Sequence, residues 1–230
     1  SGMHAFWSIG CFASAGLFSV LASSGLDVTL IAALHCAIVL ALLAVFGRHL
    51  LPYKSPGGEK AFAIPRGIVI ILGILACITF LVEGAVMDWS GVLLTETKHI
   101  DIALAGTGYA IFSVAMLIMR LLGDKTVQFL GEQKAVIGGS FVTAAGFALV
   151  VVLDNLYLNA LAFILIGLGC ANIVPVFYSL LKYQKDMPIS AAVTSVTSLG
   201  YTGVILGPAL LGFVAHGINI SAVFELVALL

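Results

Sequence analysis

An all-α fold, a polytopic bundle of transmembrane helices, is what this sequence predicts, and three observations carry the prediction. Charged residues make up 9% of the 230 residues, against about 25% in an ordinary soluble domain, so too little polar surface is present to cover a globule in water. Hydrophobic residues reach 61% and the mean hydropathy is +1.19. The apolar residues fall in runs of about 20, the length that crosses a hydrocarbon core as a helix, with polar punctuation between the runs.

Eight such segments follow in order. The first, 5–23, comes directly after Ser1-Gly2-Met3-His4, with neither a basic stretch nor a small-residue cleavage site, so it is not a signal peptide and the chain is expected to begin inside a larger protein. Gly25-Leu26-Asp27 separates it from the second, 29–46. Residues 47–65 carry Pro52, Pro56, Gly57, Gly58 and Pro65 among charges, the composition of an irregular linker. The third segment, 68–94, has Trp89 where an aromatic belt would meet its outer end. The fourth, 102–122, is expected to close before a loop holding Gly123-Asp124-Lys125. Segments five, 135–153, and six, 156–181, flank Asp154-Asn155, and segment seven covers 191–214. The eighth opens at Ile220 and stops at Leu230, too short to cross a core of roughly 30 Å at about 1.5 Å per residue, so the C-terminus is expected to be truncated as well.

Lysines and arginines decide which loops stay cytoplasmic. Arg48, Lys54, Lys60 and Arg66 fall between segments two and three, Arg120, Lys125 and Lys134 between four and five, and Lys182 and Lys185 between six and seven; Lys98 is the one cation on the alternate loops. This one-sidedness supports eight spans independently of hydropathy.

Several functions are excluded. A net charge of -1 provides no basic surface for nucleic acid. Cys11, Cys36, Cys77 and Cys170 stand apart in apolar runs, and His4, His35, His49, His99 and His216 are scattered, so neither a metal cluster nor a catalytic set emerges and no cofactor is expected. Gly123-Asp124-Lys125 lacks the glycine-rich run of a nucleotide loop, which disfavours an ATP-driven pump. The reading is not an enzyme.

An ionisable side chain within a span is costly and is by default a functional hypothesis. Glu83 lies about 22 Å along segment three counted from Ile68. At helical spacing Thr79, Glu83 and Ser90 share a face, from which Asp88 is turned away. Burial penalises the charged form of a carboxylate, so Glu83 stands where alternating access to water would change its protonation, and it is the carboxylate expected to face a cavity. In segment six Pro175 has no N–H to give to the preceding turn, freeing a carbonyl close to Asn172; the pair makes a bendable helix with an amide that both donates and accepts. Thr194, Ser198 and Tyr201 form a stripe in segment seven, and His4, Trp7, Ser8 and Cys11 form another in segment one. Arg120 and Asp124 could pair across neighbouring helix ends as a latch. Gly10, Gly16, Gly200, Gly203, Gly207 and Gly212 are expected where helices approach closely. Ser8-Ile9-Gly10 reappears as Ser198-Leu199-Gly200, which would match segments one and two to seven and eight, six helices later.

Arg120-Leu121-Leu122-Gly123-Asp124-Lys125 resembles the second-half loop motif of the major facilitator superfamily, although Gly131-Glu132-Gln133-Lys134 downstream keeps only one of the expected basic residues. Gly203-Val204-Ile205-Leu206-Gly207-Pro208 resembles that superfamily's GxxxGP element. His4-Ala5-Phe6-Trp7-Ser8-Ile9-Gly10 and Glu83-Gly84-Ala85-Val86-Met87-Asp88-Trp89-Ser90 are similar to its rhizopine-transport-protein-like and fucose-permease-like branch. The resemblance implies helices five to twelve of a twelve-helix protein: residues 1–46 as the last two helices of the N-terminal half, 47–65 as the cytoplasmic linker and 66–230 as the C-terminal half with its last helix incomplete. It further implies a multi-pass inner (plasma) membrane protein, monomeric in function, that moves a small polar, sugar- or inositol-like solute by alternating access, coupled to protons. In that scheme Glu83 and Asp88 couple protons, Trp7, Thr79, Asn172 and Tyr201 bind substrate, and Arg120, Asp124 and Pro175 gate. The rival is a non-transporting membrane sensor or assembly protein on the same scaffold.

Overall fold

The computed structural model of the chain describes residues 9–10, 13–14, 16–18, 20–21, 24–49 and 64–230. Trp7 and most of segment one and the linker lie outside the described residues. Two compact units divide the chain, one within residues 6–60 and the other over 61–230.

In the first unit, α1 runs from Val28 to Phe46, and Asp27 caps it: Oδ1 accepts the Thr29 N–H at 2.8 Å, satisfying one of the amides a helix start leaves without an internal partner.

The described residues of the second unit are helical throughout their regular structure. α2 spans Ile68–Val92 and continues as a π-type turn over Leu93–Thr97. α3 covers Thr107–Leu130, α4 Glu132–Val152, α5 Leu156–Cys170, α6 Ile173–Leu180, α7 Ile189–Gly217 and α8 Ile220–Ala228. Among the described residues, five helical stretches are long and apolar enough to cross a membrane: Val28–Phe46, Ile68–Thr97, Glu132–Val152, Leu156–Tyr183 and Ile189–Gly217. α3, at 24 residues, has the length, about 36 Å, but carries Arg120, Asp124 and Lys125.

Two differences from the sequence expectations matter. The fourth segment does not end at 122; α3 continues to Leu130, so Gly123-Asp124-Lys125 is helical rather than looped. Charge marks where a helix leaves the membrane, not where it stops. The stop is Gly131, whose φ of 84° is a conformation that side chains resist. Conversely, segment six is two helices, broken at Ala171-Asn172. Pro175 denies Ala171 its i+4 donor, and the ladder resumes with the Val176 N–H donating to Asn172 O at 3.1 Å.

Within this unit α2 packs chiefly on α7, α4 on α5, α3 on α5 and α8 on α4. Phe147, Phe163, Phe224 and Ile166 fill one core. A side chain at Gly203 would run into the Cys77 carbonyl, and one at Gly200 would meet Phe80 at 2.9 Å; small residues let α7 close on α2. Gly10 and Gly16 have no described atom within 4 Å of where a side chain would start. At one end of the unit the Lys98 ammonium pairs with Asp154 Oδ1 at 2.9 Å, joining the loops that follow α2 and α4. At the other, Glu132 Oε1 accepts from Ser179 Oγ at 2.8 Å and Lys182 Nζ at 3.3 Å. Each contact joins segment ends that the charge alternation puts on one face.

Candidate intramembrane charge site

Two helices and the α5–α6 break bring a charge pair together within the second unit. α2 positions Glu83, 15 residues in from Ile68. α3 positions Arg120, 13 residues in from Thr107, about 20 Å along that helix. Arg120 is only 4% exposed, and its Nη2 donates to Glu83 Oε1 at 3.4 Å and to Oε2 at 3.5 Å. Glu83 remains 21% exposed. Arg120 Nε donates to the Ala171 carbonyl at 3.5 Å, the one that Pro175 leaves without a backbone donor. The surroundings are polar but neutral: the Cys170 thiol donates to Ile166 O at 2.9 Å and lies 3.6 Å from Thr143 Oγ1, which itself donates to Gly139 O.

Arg120, expected as a loop cation and latch, is thus a buried residue within α3 that faces the carboxylate. Such a guanidinium cannot shed its proton, so its burial demands acceptors, and Glu83 and Ala171 O are two of them. Asp124, one turn further along α3, is exposed.

The expected substrate residues separate into two groups. Thr79 is buried one turn from Glu83, its hydroxyl donating to Leu75 O at 2.8 Å. Asn172 is buried at the α5–α6 break with its side-chain oxygen pressed against Gly123 of α3. Tyr201 is 46% exposed on α7, its ring 5.6 Å from that of Phe80, with Thr194 and Ser198 exposed beside it. Asp88 is exposed on α2 and does not join the charge site. Its turn away from Glu83 follows the helical spacing.

Among curated proteins, an uncharacterized MFS-type transporter of Yersinia pestis is 38% identical over the whole of this chain. The chain belongs to the major facilitator superfamily. An uncharacterized transporter of Sinorhizobium fredii is 28% identical, again over the whole chain, and the membrane protein MosC of Rhizobium meliloti is 25% identical over 66% of it. The chain spans 60% and 62% of the lengths of the first two relatives and 38% of the third. No family model matches it. As a superfamily member it is a multi-pass membrane protein, in keeping with the helices described.

Within this superfamily chain, the Arg120–Glu83 contact is what the sequence did not give. A signal was present. Arg120 sits between Leu117-Ile118-Met119 and Leu121-Leu122, eleven residues before Gly131, the glycine that ends its helix, and so lies well inside the helix rather than at its edge.

Proposed function

We propose that the full-length protein is a secondary active transporter that moves a small polar, sugar- or inositol-like solute by alternating access, with proton movement coupled through Glu83. The observation that carries this reading is the Glu83–Arg120 pair. A carboxylate in a span is costly unless it has a partner, and here the partner is a fixed positive charge. A carboxyl group can gain and lose a proton, whereas a guanidinium cannot. The carboxylate can therefore take up and release a proton while the guanidinium keeps its charge.

In this scheme Asp88 is a second, peripheral acid on the same helix, and Thr79, Asn172, Tyr201 and Trp7 supply hydroxyl, amide and aromatic contacts for a hydroxylated solute. Arg120, Asp124 and Pro175 belong to the gating machinery. Residues 1–46 are the last two helices of an N-terminal half, 47–65 the cytoplasmic linker and 66–230 the C-terminal half, in a monomer of the inner (plasma) membrane. Transport needs the whole protein.

The test is uptake of radiolabelled myo-inositol and a panel of hexoses into proteoliposomes holding the full-length protein, with and without an inward proton gradient. Gradient-dependent accumulation of one of them is expected, with its loss in Glu83→Gln and survival of exchange between loaded and external solute. Accumulation undiminished in Glu83→Gln would remove this carboxylate from the coupling path.

A further inference from the structure

We infer that Asn172 and Gly123 form a hydrogen-bonding subsite for the transported solute, in which Gly123 aims the Asn172 amide so that its N–H groups donate to an oxygen of the solute. The inference rests on the transport reading above and deepens it. It states what the solute offers at this point: an acceptor oxygen, as on a hydroxyl or carbonyl group.

A side chain that does not do what its position favours is the starting point. Asp27, Asn155 and Asn219 each precede a helix with extended backbone, and the side chain of each accepts from an amide of the first turn. Asn172 precedes α6 in the same way but makes no side-chain cap. Its φ of -104° and ψ of -5° lie outside the extended region that cap geometry requires, and the α5–α6 break imposes them. The Asn172 carbonyl receives the Val176 N–H at 3.1 Å. Its side-chain amide forms no hydrogen bond among the described residues, although the residue is only 6% exposed. A buried amide without partners is costly, and an oxygen supplied by a ligand removes that cost.

Gly123 decides which end of the amide is available. A side chain there would run into Asn172 Oδ1, and its first carbon would lie 3.3 Å from Asn172 Cγ and 3.7 Å from Nδ2. The oxygen therefore faces the glycine Cα–H, a weak donor that suits an oxygen and offers nothing to an N–H. Nδ2 lies farther from α3, with two N–H donors left for a ligand, so the ligand's group must accept. A methyl group at position 123 would push the oxygen off its seat and rotate the amide. Gly123 is thus a positioning residue that acts through Asn172. The subsite adjoins the charge site, because Asn172 follows Ala171, whose carbonyl Arg120 Nε reaches.

The test is thermal unfolding of the full-length protein in nanodiscs, titrated with myo-inositol and with each of a panel of hexoses. A solute that binds the folded state raises the unfolding temperature according to its concentration and affinity. At least one member of the panel should stabilise the parent. Asn172→Ala should weaken the apparent affinity for that solute about five- to tenfold, the worth of one hydrogen bond. Asn172→Asp keeps the shape but donates nothing when ionised, and should weaken it at least as much. Gly123→Ala should lower the unfolding temperature without solute and weaken binding too. Two double variants separate aim from packing and decide the matter if Gly123→Ala alone misfolds. Gly123→Ala/Asn172→Ala should recover stability without affinity. Gly123→Ala/Asn172→Ser, whose shorter side chain clears the methyl group and still carries a hydroxyl donor, should recover stability and part of the affinity. A parent that no panel member stabilises would overturn the proposed solute class and this subsite together. Affinity unchanged in both Asn172→Ala and Asn172→Asp, unchanged stability and affinity in Gly123→Ala, or equal affinity in the two double variants would overturn the subsite alone.

Discussion

Arg120 and Lys98 are the same device at two depths. Each is a cation with a nearly buried side chain, 4% and 2% exposed, and each pairs with a carboxylate. Both also donate to a carbonyl that its own helix cannot use. For Lys98 it is Val151 O, at 2.6 Å in the last turn of α4, where no intrahelical donor follows; for Arg120 it is Ala171 O, opposite Pro175. The difference lies in tightness and in the partner's access to water. Lys98 holds both acceptors at under 3 Å, and its partner Asp154 is 87% exposed. The Arg120 contacts to Glu83 and Ala171 O measure 3.4–3.5 Å, and its partner carboxylate is 21% exposed. A tight contact at the rim, with a carboxylate that water solvates in any case, is a clasp. The mid-span contact instead holds the carboxylate proposed above to carry the proton.

The largest effect that would break this comparison comes from Glu83→Gln. The substitution leaves Arg120 buried and charged with its counter-charge gone, and stranding one member of a buried pair costs about 3–5 kcal/mol. A large fall in the thermal unfolding temperature of the full-length protein is expected, together with loss of gradient-driven accumulation. Arg120→Gln should cost less, because Glu83 can take a proton and become neutral whereas Arg120 cannot lose one. The double variant Glu83→Gln/Arg120→Gln should recover most of the stability and still fail to accumulate. If both single variants are as stable as the parent, the pair is not the buried unit described.

Next is the clasp. Lys98→Met removes two charge-assisted bonds but keeps an unbranched apolar stem in place, and Asp154 is already in water. The expected loss is about 1–3 kcal/mol, with the pH profile of transport unmoved. Asp154→Asn should cost less than about 1 kcal/mol, as an exposed partner does. A shifted pH profile in either would erase the distinction between clasp and proton carrier. Asp88→Asn falls in the same low range for stability. Exposed and off the Glu83 face, it should reduce accumulation by less than Glu83→Gln does. Uncoupling by Asp88→Asn would mean that the exposed acid carries the proton.

Much of this was readable in the residues, and the limits have physical reasons. A single carboxylate in an apolar run announces itself, so Glu83 stood out, and Pro175 announced a freed carbonyl. Their common partner did not. Arg120 is 37 residues from Glu83 and 51 from Ala171, and nothing local to one helix states which face of the next it meets. Its depth is hidden because Asp124 and Lys125 follow closely and their polarity imitates the end of a helix, whereas Gly131 is the conformational stop. Lys98 and Asp154 were assigned to one face by alternation, but whether two loops on a face touch depends on packing that periodicity does not encode.

The smallest effect concerns a carboxylate that should titrate and move nothing, which makes it a control for the other two. Asp27 caps α1 from outside the span. Hydrogen bonds donated by Thr29, from its hydroxyl first and its backbone N–H second, hold the Asp27 carboxyl below the usual carboxylate range. Because the folded value is the lower one, the stabilisation is complete above the ordinary carboxylate value of about 3.9 and is lost as pH falls through the folded value. Hydrogen exchange of the α1 first-turn amides should therefore lose protection, relative to intrinsic rates, only at strongly acid pH. Asn155 and Asn219 cap α5 and α8 by the same geometry, accepting from Tyr157 N at 2.9 Å and Ala222 N at 2.8 Å. An amide cannot titrate in that range, so their first turns are pH-independent references within the same molecule. Asp27→Asn should keep the protection at neutral pH, since Asn caps as well as Asp, and abolish the acid loss; Asp27→Ala should lose protection at every pH. Acid sensitivity that persists in Asp27→Asn would show that the α1 start is held by something other than its cap.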